Sequence, residues 1–309
     1  AYMRKQWILM IASFLLCACT GKAMSSDQEK TKKNVTVTTT FLQDMVEVLA
    51  GDSVQISLII PAGEDPHTYE AKPEDNAKLQ QADLILYHGL HFEGKMTELL
   101  QAVHAVPVTA DFDTTSIGEM EEHGEKVIDP HFWFDVHLYK QACSTAAKAL
   151  IELIPEEKET IENNLHAYHT ELDKLDDYIR EQLMLIPEKS RILVTPHDAF
   201  QYFARCYQMQ VKAPQGVSTD AELSNRDMAE TAEFIVQHRI KAIFAESTTD
   251  PARMEKLRES CKAKGFDVKI VSGQDQELFS DSLAPKGQKG DTYIDMYRFD
   301  VDLIVSNLK

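Results

Sequence analysis

PEEKETIENNLHAYHTELDKLDDYIREQLMLIP (155–187) is a proline-bounded stretch that decides the architecture. Within it Ile161, Leu165, Tyr168, Leu172, Leu175, Tyr178, Ile179 and Leu183 recur every three to four residues. That period marks one apolar face of an α-helix. Roughly thirty residues at ~1.5 Å each would reach ~45 Å, more than the width of a small domain. A helix so long predicts a rigid strut between two bodies.

Outward from the strut, both flanks alternate between strand and helix patterns. On the N-terminal side, 35–40 is β-branched and reads as a strand, followed by an amphipathic stretch over 43–49 that ends at Gly51. A strand over 54–60 stops at Pro61. A helix over 73–81 opens on Pro73, and a strand over 83–87, a helix over 96–103 and a short strand over 106–108 follow. On the C-terminal side the predicted strands are 191–195, 210–212, 240–245 and 268–271. The helices are 199–207, 224–238, 251–264 and 293–308, with Ser224 and Asp227 forming a capping box. Such alternation predicts parallel sheets covered by helices. The fold class is therefore α/β, with an N-terminal lobe over 35–154, a linking helix over 155–187 and a C-terminal lobe over 188–309.

The chain has 309 residues, 43% of them hydrophobic, enough for two lobes with sizeable cores. Fifty acidic against 32 basic residues give a formal net charge of −18. That charge repels phosphate backbones, which excludes nucleic acid as a partner and leaves cations as tolerated ligands.

The first residues read as an address. Arg4 and Lys5 precede an apolar run from Trp7 to Leu16, too short to span a bilayer. Leu16-Cys17-Ala18-Cys19 then resembles a bacterial lipobox, with a signal peptide over 1–18 and Cys19 as the lipidated residue. Residues 19–34 are polar and predict a flexible tether. An ordinary cleaved signal peptide is the plainer alternative. Cys143, Cys206 and Cys261 remain; they form no C-x-x-C knuckle and read as small buried hydrophobes, with pairing of Cys206 and Cys261 left open.

Site chemistry emerges from a dipeptide. With 11 Pro and 11 His in 309 positions, chance gives 11 × 11/309, about 0.4, Pro-His pairs; there are three, Pro66-His67, Pro130-His131 and Pro196-His197. Two belong to Asp-Pro-His. His67 and His197 follow strand-like runs, and ligands in open α/β sheets bind beyond the carboxyl ends of strands. Proline fixes φ and helps hold the next residue. Imidazole is the commonest ligand of zinc and related ions. These three histidines are thus candidate metal ligands, with Asp65, Asp129, Asp198 or Glu246 as candidate supports for their rings. His88 and His91 lie near a strand end. His104, His123, His137, His166, His169 and His238 read as solvated, and the acidic run 119–123 carries one histidine, too few for a metal-collecting loop.

Six segments together resemble one family: 65–70 (DPHTYE), 83–91 (DLILYHGLH), 129–135 (DPHFWFD), 195–200 (TPHDAF), 215–219 (QGVST) and 278–282 (LFSDS). It is the family of manganese- and zinc-binding receptor lipoproteins of ABC importers, and the resemblance spans Val35 to Leu308 in order. It implies two Rossmann-like lobes bridged by one long helix, with one divalent transition-metal ion as cargo in the cleft. Carried over by motif, the ligands are His67 and His131 from the first lobe and His197 and Asp281 from the second. Members with Glu in place of His197 are linked mainly to manganese. The resemblance further implies an ABC permease and its ATPase as partners, a lipid anchor in the membrane, an extracytoplasmic location and a monomer. Four protein ligands also speak against catalysis, because a catalytic zinc normally keeps three and leaves a position for water. Two other readings stand beside this one: a secreted metallohydrolase with Asp281 or Glu246 as base, and a surface adhesin.

Overall fold

In the computed structural model, which describes residues 31–309 apart from His123 and Ala221, Lys32–Lys309 form one compact unit. The signal peptide and Cys19 lie outside the described residues. The N-terminal lobe opens with β1 (Lys33–Val37), α1 (Thr40–Ala50), β2 (Val54–Leu58), α2 (Pro73–Gln81), β3 (Leu84–Tyr87), α3 (Thr97–Ala102) and β4 (Val106–Pro107). The four strands form one parallel sheet in the order β2-β1-β3-β4. β1 is interior, and its Val35 and Val37 are fully buried, as a helix-covered strand requires. Next comes an antiparallel hairpin of β5 (Glu119–Glu122) and β6 (Glu125–Ile128), then α4 (Val136–Leu153).

The strut is α5 (Lys158–Leu183), 26 residues or ~39 Å, preceded by a 3-10 turn over Pro155–Glu157. Ile161, Tyr168, Leu172, Leu175, Ile179 and Leu183 are buried along it, with Leu165 and Tyr178 packed at the edge.

The C-terminal lobe contains β7 (Ile192–Val194), α6 (Gln201–Tyr207), β8 (Gln210–Lys212), α7 (Asn225–His238), β9 (Ala242–Phe244), α8 (Ala252–Lys262), β10 (Lys269–Val271) and α9 (Tyr293–Leu308). Its strands are three residues long and form two parallel pairs, β7 with β8 and β9 with β10. Ser224 caps α7 by accepting the Asp227 N–H at 3.0 Å. No helix among the described residues is long and apolar enough to cross a membrane.

The lobes share one large core, and each also has a smaller apolar cluster of its own. A single apolar cluster runs from Phe41 and Leu42 on α1 through α4 and α5 to Phe200, Phe203 and Tyr297. α9 crosses between the lobes: Tyr293 stacks on Tyr139 at 3.6 Å and 7°, and the Tyr293 and Tyr297 hydroxyls donate to the Trp133 and Phe134 carbonyls, each at 2.6 Å. Cys206 and Cys261 do not pair. Both are free thiols, as is Cys143; Cys143 and Cys261 are buried and Cys206 is half-buried.

Candidate metal centre

Each of four polar side chains is delivered to one point by a different loop. His67 follows β2, and Asp65 fixes its backbone by accepting the His67 N–H at 3.0 Å. Gly94 (φ +39°) passes so close that a Cβ there would stand 2.0 Å from the His67 carbonyl oxygen, so only glycine allows this path. His131 follows β6 and leads into the 3-10 turn Phe132–Phe134. Asp129 Oδ1 accepts both the His131 backbone N–H at 3.0 Å and ring Nδ1 at 2.7 Å. His197 follows β7, pairs its backbone with Gln215, and sets Nδ1 2.6 Å from Glu246 Oε2. Glu246, just past β9, also accepts the Ser280 hydroxyl at 3.1 Å. Asp281 lies in the loop after β10. Asp300 holds that loop by accepting the Phe279 N–H at 3.0 Å, and Trp133 donates Nε1–H to the Ser280 carbonyl at 3.0 Å.

One ligand atom from each of His67, His131, His197 and Asp281 falls within 4.8 Å of all the others. His131 Nε2 is 3.3 Å from Asp281 Oδ1, His197 Nε2 is 3.1 Å from Oδ2, and His67 Nε2 is 3.7 Å from Oδ2. His67 Nε2 and His131 Nε2 are 3.3 Å apart. All four residues are at most 2% exposed. His197 Nε2 and both Asp281 oxygens lack a partner with hydrogen-bond geometry; their short contacts are ion pairs only. Buried polar atoms left so are costly, and a cation placed among them would satisfy all of them. With Nδ1 of two rings held by carboxylates, the free Nε2 atoms point inward, as in carboxylate–histidine–metal arrangements.

Electrostatics here are divided. Burial pushes His67 down to about 3, although Asp281 pulls the other way. Burial also opposes charge on His131 and His197. There the charges of Asp129, Glu246 and Asp281, with the hydrogen bonds from Asp129 and Glu246, outweigh it, raising His131 to about 9 and His197 well above its usual value. Burial would likewise raise Asp281, but the His197 and His131 charges hold it well below the carboxylate range. Ligating imidazoles must be neutral, so an ion bound by this set would displace the protons of His131 and His197 and would be expelled by acid.

The other residues singled out fall elsewhere. His88 is buried, but its Nε2 shares a hydrogen bond with Thr39 Oγ1 at 2.7 Å and its ring packs edge-on against Trp133. His91 is exposed beside Thr97. His169 contacts the Lys140 carbonyl, and His104, His137, His166 and His238 are exposed. Of the four carboxylates expected to support imidazoles, Asp129 and Glu246 do so. Asp65 bonds the His67 backbone and not its ring, and Asp198 bonds Gln201 at 2.9 and 3.1 Å. Ser280 and Trp133 as anchors of the Asp281 loop had no signal in the sequence.

Two parallel α/β lobes on one helical strut, with a buried three-histidine, one-carboxylate set between them, define a metal receptor of the solute-binding class. The chain belongs to the family of the zinc-uptake complex component A, periplasmic (ZnuA), which it matches over residues 35–307. It is 35% identical over 305 residues to the manganese-binding lipoprotein MntA of Bacillus subtilis (strain 168), covering 97% of both chains. It is 37% identical over 301 residues to the zinc-binding protein TroA of Treponema pallidum (strain Nichols), covering 97% of this chain and 96% of that one. A solved TroA structure described by the metal-binding specificity of its active centre superposes with a TM-score of 0.88 at 55% identity, over 90% of this chain and all of that chain.

Proposed function

We propose that this protein captures one zinc or manganese ion through His67, His131, His197 and Asp281 and delivers it to the permease and ATPase of an ABC importer. It acts as a monomeric receptor and not as an enzyme, with ligand-bearing lobes over 35–154 and 188–309 joined by the 155–187 segment. The observation that carries this reading is the convergence of four buried donors from four loops within 4.8 Å. Four donors, with Asp281 offering two oxygens, fill a coordination shell and leave no position for the activated water a hydrolase needs. Nitrogen-rich donors favour zinc over manganese in raw affinity. The relatives named for manganese and for zinc support either cargo equally.

Purified protein is expected to hold one ion by elemental analysis. A thousandfold excess over Kd stabilises by ~4 kcal/mol, which at ~2–4 °C per kcal/mol raises Tm by about 10 °C. A melting curve unmoved by both zinc and manganese would sink the reading. The lipobox at 16–19 supports extracytoplasmic anchoring through Cys19. Cys19→Ala is expected to leave a folded, metal-binding protein that takes up no palmitate label; a persisting label would place the acyl chain elsewhere.

A further inference from the structure

Two contacts cross the cleft onto one short loop of the C-terminal lobe, residues 215–219. Glu122, the last residue of β5, accepts the Val217 N–H at 2.6 Å, and Asp65 accepts the Thr219 hydroxyl at 2.5 Å. Within its own lobe the loop is pinned. Arg253 donates to Gln215 Oε1 at 2.5 Å, Gln215 Nε2 donates to the Thr219 carbonyl at 3.0 Å, and the Asp198 N–H donates to the Gly216 carbonyl at 3.1 Å. Gln215 also bridges the His197 backbone. The loop is thereby coupled to His197, while Asp65 holds the His67 backbone and the hairpin carrying Glu122 leads into His131. A cavity of about 810 Å³ opens beside the site, and His67 is the one donor of the four that lines it. Glu122, Ile128, Val217 and Ser218 form part of its wall.

We infer that the 215–219 loop, clasped by Glu122 and Asp65, is the gate through which the ion leaves. The inference rests on the metal reading above. Neither Glu122 nor Thr219 belongs to the donor set; both act by positioning, and release requires the two clasps to open. Each is a hydrogen bond to a carboxylate, the stronger kind, so loss of either is expected to speed release about tenfold. Gly216 offers a second handle. A Cβ there would fall 2.2 Å from Glu122 Oε1 and 2.5 Å from its Cδ. The obstacle is the flexible end of a side chain, so Gly216→Ala displaces the clasp while sparing the backbone.

The test loads the full chain with zinc and follows release into excess chelator by stopped flow, with cobalt(II) absorption reporting the ligand set. Glu122→Ala, Thr219→Val and Gly216→Ala are expected to release faster with an unchanged cobalt spectrum. Glu122→Gln and Thr219→Ser, which keep an acceptor or a hydroxyl, should restore slow release. Wild-type rates in the first three would overturn the gate, and so would an altered cobalt spectrum, which would mean the clasps shape the site itself. Should Glu122→Ala fail to fold, Gly216→Ala decides. If the unmodified protein takes up no zinc, the metal reading fails first, before any variant is compared.

Discussion

Asp281→Ala is expected to weaken zinc binding about a thousandfold and manganese binding more. Both Asp281 oxygens are buried, face the histidine Nε2 atoms at 3.1 to 3.7 Å and have no hydrogen-bond partner. Alanine leaves three neutral imidazoles around a divalent ion, whose charge then has no anionic ligand in a closed cleft. Stripping one partner from a buried charge costs ~3–5 kcal/mol, and each ~1.4 kcal/mol is a factor of ten in affinity. Manganese prefers oxygen donors, so it loses more than zinc, which the imidazoles still suit. His67→Ala removes a donor from the opposite lobe and should act comparably on zinc. Exposed His166 and His238, changed to alanine, should leave both affinities alone. Calorimetric titration of both ions against the four variants checks this. An Asp281→Ala protein that bound like the original would move the carboxylate ligand to Glu246, whose Oε1 is also buried without a partner.

Asp281 also shows where local sequence signals end. The three histidines announce themselves because proline precedes each, a local and countable feature. Asp281 sits in a loop with no periodic pattern, and only the resemblance of the 278–282 segment points to it. Of the supporting carboxylates, Asp129 is two residues from its imidazole and so is visible. Glu246 is 49 residues from His197 and is brought there by the neighbouring strand end. Asp198, though next to His197, bonds Gln201 instead, so adjacency in sequence is a poor guide to which carboxylate meets a ring. For the fold, α5 was legible because large apolar residues mark one face for seven turns. α4 has no counterpart among the predicted helices: its buried face includes Ala142, Cys143, Thr145, Ala146 and Ala147, small residues with little hydrophobic contrast. The β5 strand hides for the opposite reason. Glu119-Met120-Glu121-Glu122 reads only as an acidic run, yet it pairs with β6, and Glu122 meets the opposite lobe. Only tertiary structure provides that partner.

Gly94→Ala is expected to lower Tm by about 10 °C and zinc affinity roughly 10- to 100-fold, with every donor still present. The added methyl carbon would lie 2.0 Å from the His67 carbonyl oxygen, 2.8 Å from its carbon and 3.2 Å from its Cα. These are backbone atoms, which cannot swing aside as a side chain can. Either the His67 peptide moves or the turn at Gly94–Met96 does. That turn follows Glu93, which is buried and accepts the Thr38 hydroxyl at 2.7 Å and the His88 N–H at 2.6 Å, so it yields reluctantly. His67 must therefore shift, disturbing the edge-on contact its ring makes with Phe92 at 5.0 Å. Overpacking of this kind costs ~1–3 kcal/mol, and a left-handed φ adds ~1–2 kcal/mol for a residue with a Cβ. At ~2–4 °C per kcal/mol the sum gives the stated drop. The affinity loss follows the range seen when a supporting residue of a metal ligand is removed, ~10–100-fold. Gly265→Ala separates the two costs, because Gly265 has φ +83° with nothing within 4 Å of the new Cβ. It should lose a few degrees and keep its zinc affinity. If Gly94→Ala melted lower yet bound zinc like the original, His67 would be placed by Phe92 against its ring and Asp65 on its backbone N–H, and the close approach of Gly94 would matter to stability alone.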